Sequence, residues 1–254
     1  MSDVSQTAGR HVVILSHLKP DSFNHSIANA YCDAVRWVGQ DVVLRDLYAI
    51  GFAPVLKAVE KPGPGHPHPS HDVADELELI RRCDVFVLIY PIWFGNAAAM
   101  LKRCVDRVFG AGVMPEAVKE GAPTSLLGNK QLAQLHDISN ERRLASGGGP
   151  RVISYHCFQQ VFGARVRDEG REARLLRLFT DELTPRFAGQ YLQDVKDEAQ
   201  RMYTKLAKHR DVDVRDVVHN NAPQCRQRGP DSTRSSQWTR LGRATALVAG
   251  PAVQ

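Results

Sequence analysis

Two short segments carry side chains suited to binding a ligand. The first, residues 16–26 (SHLKPDSFNHS), places Ser22 and Asn24 directly before a stretch with helical apolar spacing. Free backbone N–H groups at a helix start attract phosphate or another anion, and the Ser22 hydroxyl, the Asn24 amide and His17 would add donors. Simple N-capping is the commoner role of Ser and Asn at a helix start, so the residues alone leave both interpretations open.

The second segment, YPIWFGN, is the most informative one in the chain. Pro91 stiffens it, and three bulky apolar residues follow at the end of a predicted strand: Ile92, Trp93 and Phe94. A flat aromatic ligand would give these side chains a surface to pack on. A hydrophobic plug or a subunit interface is the alternative interpretation.

Glycines in a third segment, residues 144–150 (LASGGGP), would let the backbone approach a ligand closely, or would form only a flexible connection. Neither GxGxxG nor GK[ST] occurs in the first loop, which argues against a Rossmann-type dinucleotide site and an ATP P-loop. The histidines at 66, 68 and 71 lie in a Pro-rich setting without rigid geometry, so we predict no metal site.

These segments need a scaffold of alternating strands and helices to position them. Continuous β-branched and apolar runs predict strands over 11–16, 41–47, 84–90 and 130–136. Helical spacing predicts helices over 24–38, 72–82, 97–109, 173–179 and 190–208, and the best candidate for a fifth strand is 152–162. Such alternation predicts a parallel sheet with helices on both faces. In such sheets ligands bind outside the carboxyl ends of the strands.

Composition and charge narrow the class of protein. The 254 residues are 43% hydrophobic and 24% charged, as in a globular protein with a real core. The net charge of +5 is concentrated from Arg210 onward, where seven Arg stand against four Asp; the preceding residues carry 26 basic and 24 acidic side chains. A near-neutral body argues against nucleic-acid binding. We predict one domain over 1–209 and a disordered basic tail over 210–254.

The N-terminal residues, the longest apolar run and the cysteine spacing indicate the cellular compartment. The first ten residues lack the apolar stretch of a secretory signal, and the apolar run Val85 to Gly95 is short of the ~20 residues that span a bilayer. The five cysteines are widely spaced and form no CxxC pair, which favours a reducing compartment. We therefore expect a cytoplasmic protein without membrane insertion.

The two main motifs together resemble the NAD(P)H:quinone oxidoreductase family, flavin-dependent enzymes of flavodoxin-like fold. The resemblance rests on HxxxxSFN (17–24), on YPIWFG followed by MLKRCVDRVF (100–109), and on DLYAIGFAPVL (46–56). It covers residues 11–115 closely and 190–208 more loosely. It implies an α/β three-layer sandwich with a central parallel five-stranded sheet, and a homodimer that completes the flavin pocket.

The resemblance also implies roles for particular residues. His17, Ser22, Phe23 and Asn24 would surround the flavin phosphate, and Pro91, Ile92, Trp93 and Phe94 would lie along the isoalloxazine ring. Gly147 and Gly148 would fill the family's glycine positions, and Tyr155 and His156 would flank the nicotinamide. Residues 137–186 fit the family poorly, since a longer and charged loop, HDISNERRLASGGGP, replaces the usual Thr or Ser residues before the glycines.

We therefore expect two-electron transfer from NAD(P)H through bound flavin (FAD or FMN) to a quinone or similar small acceptor. Two alternatives stay open. One is a flavodoxin-type electron carrier, although carriers are typically shorter and acidic. The other is a flavin-free regulatory or interaction protein that kept the fold, which the divergent region 137–186 would favour.

Overall fold

A sheet of five parallel strands forms the middle layer of the molecule. The computed structural model describes residues 9–57, 60, 69–93, 96–109, 130–138, 173–179 and 183–209. The parallel strands are β1 (Arg10–Leu15), β2 (Asp41–Asp46), β3 (Val85–Trp93), β5 (Gln131–Ile138) and β6 (Ala173–Phe179). They lie in the order β2-β1-β3-β5-β6, and a two-residue strand, β4 (Asn96–Ala97), pairs antiparallel with the end of β3. The predicted five-stranded parallel sheet is confirmed.

Helices cover both faces of this sheet and complete three layers. They are α1 (Phe23–Trp37), α2 (His71–Arg81), α3 (Ala99–Cys104), a π-helical turn (Val105–Phe109) and α4 (Pro185–His209). Alternate side chains of β3 enter two separate cores, because successive strand residues point to opposite faces. Val87 and Ile89 pack under α1 and α4, whereas Phe86 and Leu88 pack under α2 and α3. The two apolar cores together fix the strand ends that form the site.

The residues at the two ends of helix α1 explain where it begins and ends. Ser22 is its N-cap, with extended backbone angles, and Ile27, Tyr31 and Val35 form the fully buried stripe against the sheet. Gly39, with φ of 73°, follows the helix and takes the left-handed conformation that glycine adopts without strain. The N-terminus of α1 is thereby held at the carboxyl edge of the sheet.

The end of β1 is the point where the strand order reverses. From β1 the chain passes through α1 to β2 on one side, and β3 lies on the other side. Hydrogen bonds hold the end of β1 on both sides: Ser16 N donates to Ile89 O at 3.0 Å, and Leu47 N donates to Leu15 O at 2.9 Å. A crevice at such a reversal is the usual ligand site of this architecture.

A buried arginine ties the long β2–α2 connection to the π-helical turn. Arg107 is fully buried and donates to Glu60 Oε2 at 2.9 Å, to Ala53 O at 2.7 Å, to Asp72 Oδ2 at 2.7 Å and to Ser70 Oγ at 2.8 Å. Hydrogen bonds from this guanidinium lower the pKa of both Glu60 and Asp72 to about 2. One side chain thus binds three residues of the connection and Asp72 in the first turn of α2.

Three predicted elements differ from the structure. Residues 173–179, predicted as a helix, form strand β6, because they pair in parallel with β5 along its whole length. Strand β3 continues through Pro91 and Ile92 to Trp93, beyond its predicted end at residue 90. The predicted helix over 97–109 is split, because β4 takes its first residue and the last turn is π-helical. The predicted strand at 152–162 and the tail over 210–254 lie outside the described residues.

Candidate functional site

The two predicted ligand-binding segments meet at the switch point. The ring of His17, in the loop after β1, contacts the ring of Trp93, the last residue of β3, edge to face with centroids 5.7 Å apart. His17 is half-buried, and Lys19 N donates to its Nδ1 at 3.0 Å. Burial lowers the pKa of His17, so the imidazole is neutral at pH 7. A heteroaromatic and an indole ring therefore border the crevice.

Ser22 has the capping role that the residue type favoured. Its Oγ accepts from His25 N at 3.4 Å and lies 2.8 Å from His25 Nδ1. The other ring nitrogen of His25 lies 2.9 Å from Asp46 Oδ2, at the end of β2. Asp46 Oδ1 in turn accepts hydrogen bonds from the backbone N–H groups of Tyr48 and Ala49, in the turn after β2. The chain Ser22–His25–Asp46 locks the first turn of α1 to the carboxyl edge of the sheet.

Asn24 is the polar residue buried deepest in this region. It is fully buried, and its Nδ2 donates to Asp137 Oδ2, near the end of β5, at 2.8 Å. Among the described residues neither Asn24 Oδ1 nor Ser16 Oγ has a hydrogen-bond partner, although both atoms are buried. Burial raises the pKa of Asp137 to about 6, against the lowering effect of the Asn24 hydrogen bond. Unsatisfied buried polar atoms at a crevice point to a missing partner.

The remaining apolar candidates have different environments. Trp93 is half-buried at the carboxyl end of β3, and Pro91 is buried on the same side of that strand. Ile92 is only 3% exposed and packs in the core under α2 and α3, so only its backbone can face a ligand. Phe23 packs partly buried against the core under α1. The other predicted site residues lie outside the described part of the chain: Phe94, Gly147, Gly148, Tyr155 and His156.

Three residues at the crevice were not predicted from the sequence. His25 lies in the first turn of α1, Asp46 ends β2, and Asp137 is the last residue but one of β5. Hydrogen bonds join His25 to Ser22 and to Asp46, and Asn24 to Asp137. Asp137 offered a signal, because it directly follows the predicted strand over 130–136, at the carboxyl end of that strand. In an open parallel sheet that place favours a ligand-facing role.

Comparison with known proteins decides the family. The sequence family described as "Flavodoxin-like fold" matches residues 9–141, more than half of the chain. The chain belongs to this flavodoxin-like family. The matched region contains the loop after β1, the end of β3 and Asp137 of β5. Every described residue of the crevice thus lies inside the family's own domain.

Curated relatives of this flavodoxin-like protein carry oxidoreductase names. A Haemophilus influenzae protein named "Uncharacterized NAD(P)H oxidoreductase" is 31% identical over 149 residues, which are 58% of this chain and 73% of that protein. The human ribosyldihydronicotinamide dehydrogenase [quinone] is 29% identical over 41% of this chain. The NAD(P)H dehydrogenase [quinone] 1 of Cavia porcellus is 28% identical over the same share. The chain spans 53% and 44% of these two mammalian relatives.

Solved structures agree on the fold of this flavodoxin-like chain. The NAD(P)H:quinone oxidoreductase from Methanothermobacter marburgensis covers 77% of the chain, and 96% of its own length, with a TM-score of 0.54 at 20% identity. An FMN-dependent NADH-azoreductase from Bacillus anthracis, solved with FMN, covers 77% of this chain and 100% of its own length with a TM-score of 0.57 at 11% identity. The resemblance to quinone oxidoreductases predicted from the two motifs is confirmed by the names of the relatives.

Within the described ranges, no helix combines the length and the apolar character that crossing a membrane demands.

Proposed function

We propose that this protein is a flavin-dependent oxidoreductase that transfers two electrons from NAD(P)H to a quinone or a similar small acceptor. The observation that carries the proposal is the contact between His17 and Trp93 at the strand-order reversal. That contact brings the loop after β1, which is suited to phosphate, next to the aromatic end of β3. Over 149 residues the chain is 31% identical to a protein named "Uncharacterized NAD(P)H oxidoreductase". A ligand with an anionic end and a flat aromatic end fits both parts.

The residues at the crevice fit a flavin at each of its ends. The first turn of α1 leaves the N–H groups of Phe23 and Asn24 without intrahelical partners, and such groups attract phosphate. Trp93 offers a half-buried ring for an apolar ligand face. Between them, the buried Ser16 Oγ and Asn24 Oδ1 make no hydrogen bond within the described residues. The fold itself accommodates FMN in the Bacillus anthracis azoreductase.

In this proposal the chemistry of electron transfer belongs to the cofactor. When bound, a flavin would supply the two-electron chemistry between NAD(P)H and the acceptor. The chain positions the ligand through the α1 N-terminus and excludes water with Trp93. His17 stays neutral because burial lowers its pKa, so it can donate or accept a hydrogen bond without adding charge to the crevice.

Further residues complete the proposed site. Phe94 would continue the aromatic wall beyond Trp93, and Gly147 and Gly148 would let the backbone approach the ring. Tyr155 and His156 would flank the nicotinamide. These assignments come from the resemblance, and alanine substitution of each residue tests them.

Anaerobic reduction separates this function from its alternatives. The purified protein should be yellow, NADPH or NADH should bleach it, and a quinone should restore the colour. A protein that is yellow but is not reduced by either nicotinamide would be a flavodoxin-type carrier. A colourless protein that does not take up FMN or FAD would be a flavin-free member of the fold, and the proposal would be wrong.

We also propose that two copies form a homodimer of C2 symmetry in the cytoplasm. The segment after β2 exposes four apolar side chains, which a second copy would cover: Tyr48, Ile50, Val55 and Leu56. Val55→Glu should dissociate the dimer in sedimentation equilibrium. Trp37→Glu is the matched control, since Trp37 is 64% exposed at the far end of α1. A monomer that still reduces quinone would contradict the dimer. The described cysteines Cys32, Cys83 and Cys104 are free, which supports a reducing compartment.

A further inference from the structure

We propose that Asp137 is a positioning residue that sets the orientation of the Asn24 amide, and that binding of the anionic flavin therefore takes up one proton. This inference rests on the proposed function. It concerns the crevice before any electron transfer, and it makes the affinity for an anion depend on the protonation of one carboxyl group.

The hydrogen-bond geometry defines one orientation of the amide. Asn24 Nδ2 donates to Asp137 Oδ2 at 2.8 Å across 113 residues of sequence. A carboxylate only accepts hydrogen bonds, so an ionised Asp137 requires the amide nitrogen on its side. The amide oxygen then lies in a fully buried position and has no donor among the described residues.

This orientation is unfavourable for an anion at the start of α1. Asn24 is the second residue of the helix, where free N–H groups and the helix dipole favour negative charge. With Asp137 ionised, part of the donor capacity of the amide is used by the carboxylate, and a negative charge lies beside the anion site. Both effects weaken the binding of a phosphate group.

Protonation of Asp137 reverses the arrangement. The carboxyl O–H can then donate to Asn24 Oδ1 once the amide rotates by 180°, which gives the unsatisfied oxygen its partner. The same rotation frees the amide N–H groups for the anion. One proton is taken from solvent for each anion bound, no covalent bond changes, and the negative charge beside the anion disappears.

The surroundings of Asp137 allow its carboxyl group to be protonated near neutral pH. Burial raises its pKa to about 6, and its register partners, Pro91 on β3 and Leu178 on β6, are uncharged. At the same edge, His25 and Asp46 pair with each other at 2.9 Å. Of the described residues, the loop after β1 contributes the ionisable side chains of His17, Lys19 and Asp21, and the first turn of α4 contributes Arg186. Asp137 is thus the carboxyl group that faces Asn24.

The test compares FMN affinity between pH 5 and pH 8 for the protein and for Asp137→Asn. The amide that this substitution introduces is neutral and can donate to Asn24 Oδ1 at every pH, so the variant mimics protonated Asp137. Each pH unit above a pKa of about 6 should weaken FMN binding to the parent about tenfold relative to the variant, or about a hundredfold at pH 8. Because both proteins bind the same ligand, the titration of the FMN phosphate cancels in the ratio. Asp84→Asn is the matched control, since Asp84 Oδ2 accepts from Arg10 N at the opposite edge of the sheet.

Two further measurements make the outcome decisive. Calorimetry in buffers of different ionisation enthalpy should show proton uptake by the parent in excess of that by Asp137→Asn at pH 7. In the ligand-free parent, the side-chain amide signals of Asn24 should shift with the same midpoint as the Asp137 carboxyl carbon. An affinity ratio that does not vary with pH, or Asn24 signals that do not follow Asp137, would overturn the proposal. Failure of both proteins to bind FMN at any pH would instead contradict the proposed function, and the amide titration would still decide the role of Asp137.

Discussion

Arg107 donates to both carboxylate oxygens of Glu60, at 2.9 Å and 2.6 Å, in a site where neither side chain is reached by solvent. The two residues are 47 positions apart in the chain. The same guanidinium contacts the Phe52 ring at 5.2 Å. The Arg107 side chain thus anchors the long β2–α2 connection.

We expect Arg107→Met to destabilise the fold by about 3–5 kcal/mol, because it leaves the buried Glu60 carboxylate without its counter-charge. Urea unfolding at pH 7 measures the loss. The double variant Arg107→Met with Glu60→Leu should recover part of it, since both charges are then gone. A single variant as stable as the parent would show that the pair adds nothing to stability.

Stability should fall in weak acid because of His11. This residue is fully buried, with Nδ1 3.0 Å from Tyr31 Oη and Nε2 2.8 Å from Gln40 Oε1, and burial lowers its pKa to about 4. The unfolded chain takes up a proton near pH 6.5, whereas the folded protein takes it up only near pH 4. The folded state therefore loses about 3 kcal/mol between these values.

Comparison with His11→Gln isolates this contribution. Asp137 changes stability in the opposite direction over an overlapping range, because its raised pKa favours the folded state at low pH. The difference in unfolding free energy between parent and variant cancels that effect. The difference should shrink as the pH falls from 7 to 4. A constant difference would mean that His11 is protonated as easily in the folded protein as in the unfolded chain.

Trp93 should report flavin binding directly. Its indole borders the crevice, so FMN should quench its fluorescence, and Trp93→Phe should remove most of the quenching. Trp37→Phe is the control, because Trp37 is exposed at the end of α1 remote from the carboxyl edge. Quenching that survives in Trp93→Phe and disappears in Trp37→Phe would move the ligand to another place.

Removal of residues 211–254 should leave flavin content and turnover nearly unchanged. All described residues of the crevice lie between Ser16 and Asp137, and helix α4, which covers the sheet, ends at His209. The removed segment contains few large apolar groups, so we expect its loss to change the buried apolar area little. Bound flavin, NADPH oxidation and melting temperature are compared with the full chain. Loss of most of the activity would place part of the tail in the pocket.

Individual strands and helices could be predicted where neighbouring residues in the sequence determine them. Strands such as β1 and β2 and helix α1 follow from apolar periodicity, capping and the Gly39 stop. Strand β6 could not be distinguished from a helix, because a seven-residue segment of five apolar residues and two arginines fits both periods, and only its pairing with β5 decides. Likewise, the sequence contains Asn24 and Asp137 but nothing in it says that they meet.

The anchoring of the β2–α2 connection has a practical consequence for protein engineering. Glu60 and Ser70 are both bound by Arg107, and the Ser70 hydroxyl also donates to Glu60 Oε1, so these two residues are held together by side-chain contacts outside the segment between them. Lengthening a loop with fixed ends costs only about 0.6 kcal/mol for each doubling of its length. We therefore expect a reporter or an affinity peptide inserted between Glu60 and Ser70 to leave the sheet and the crevice in place.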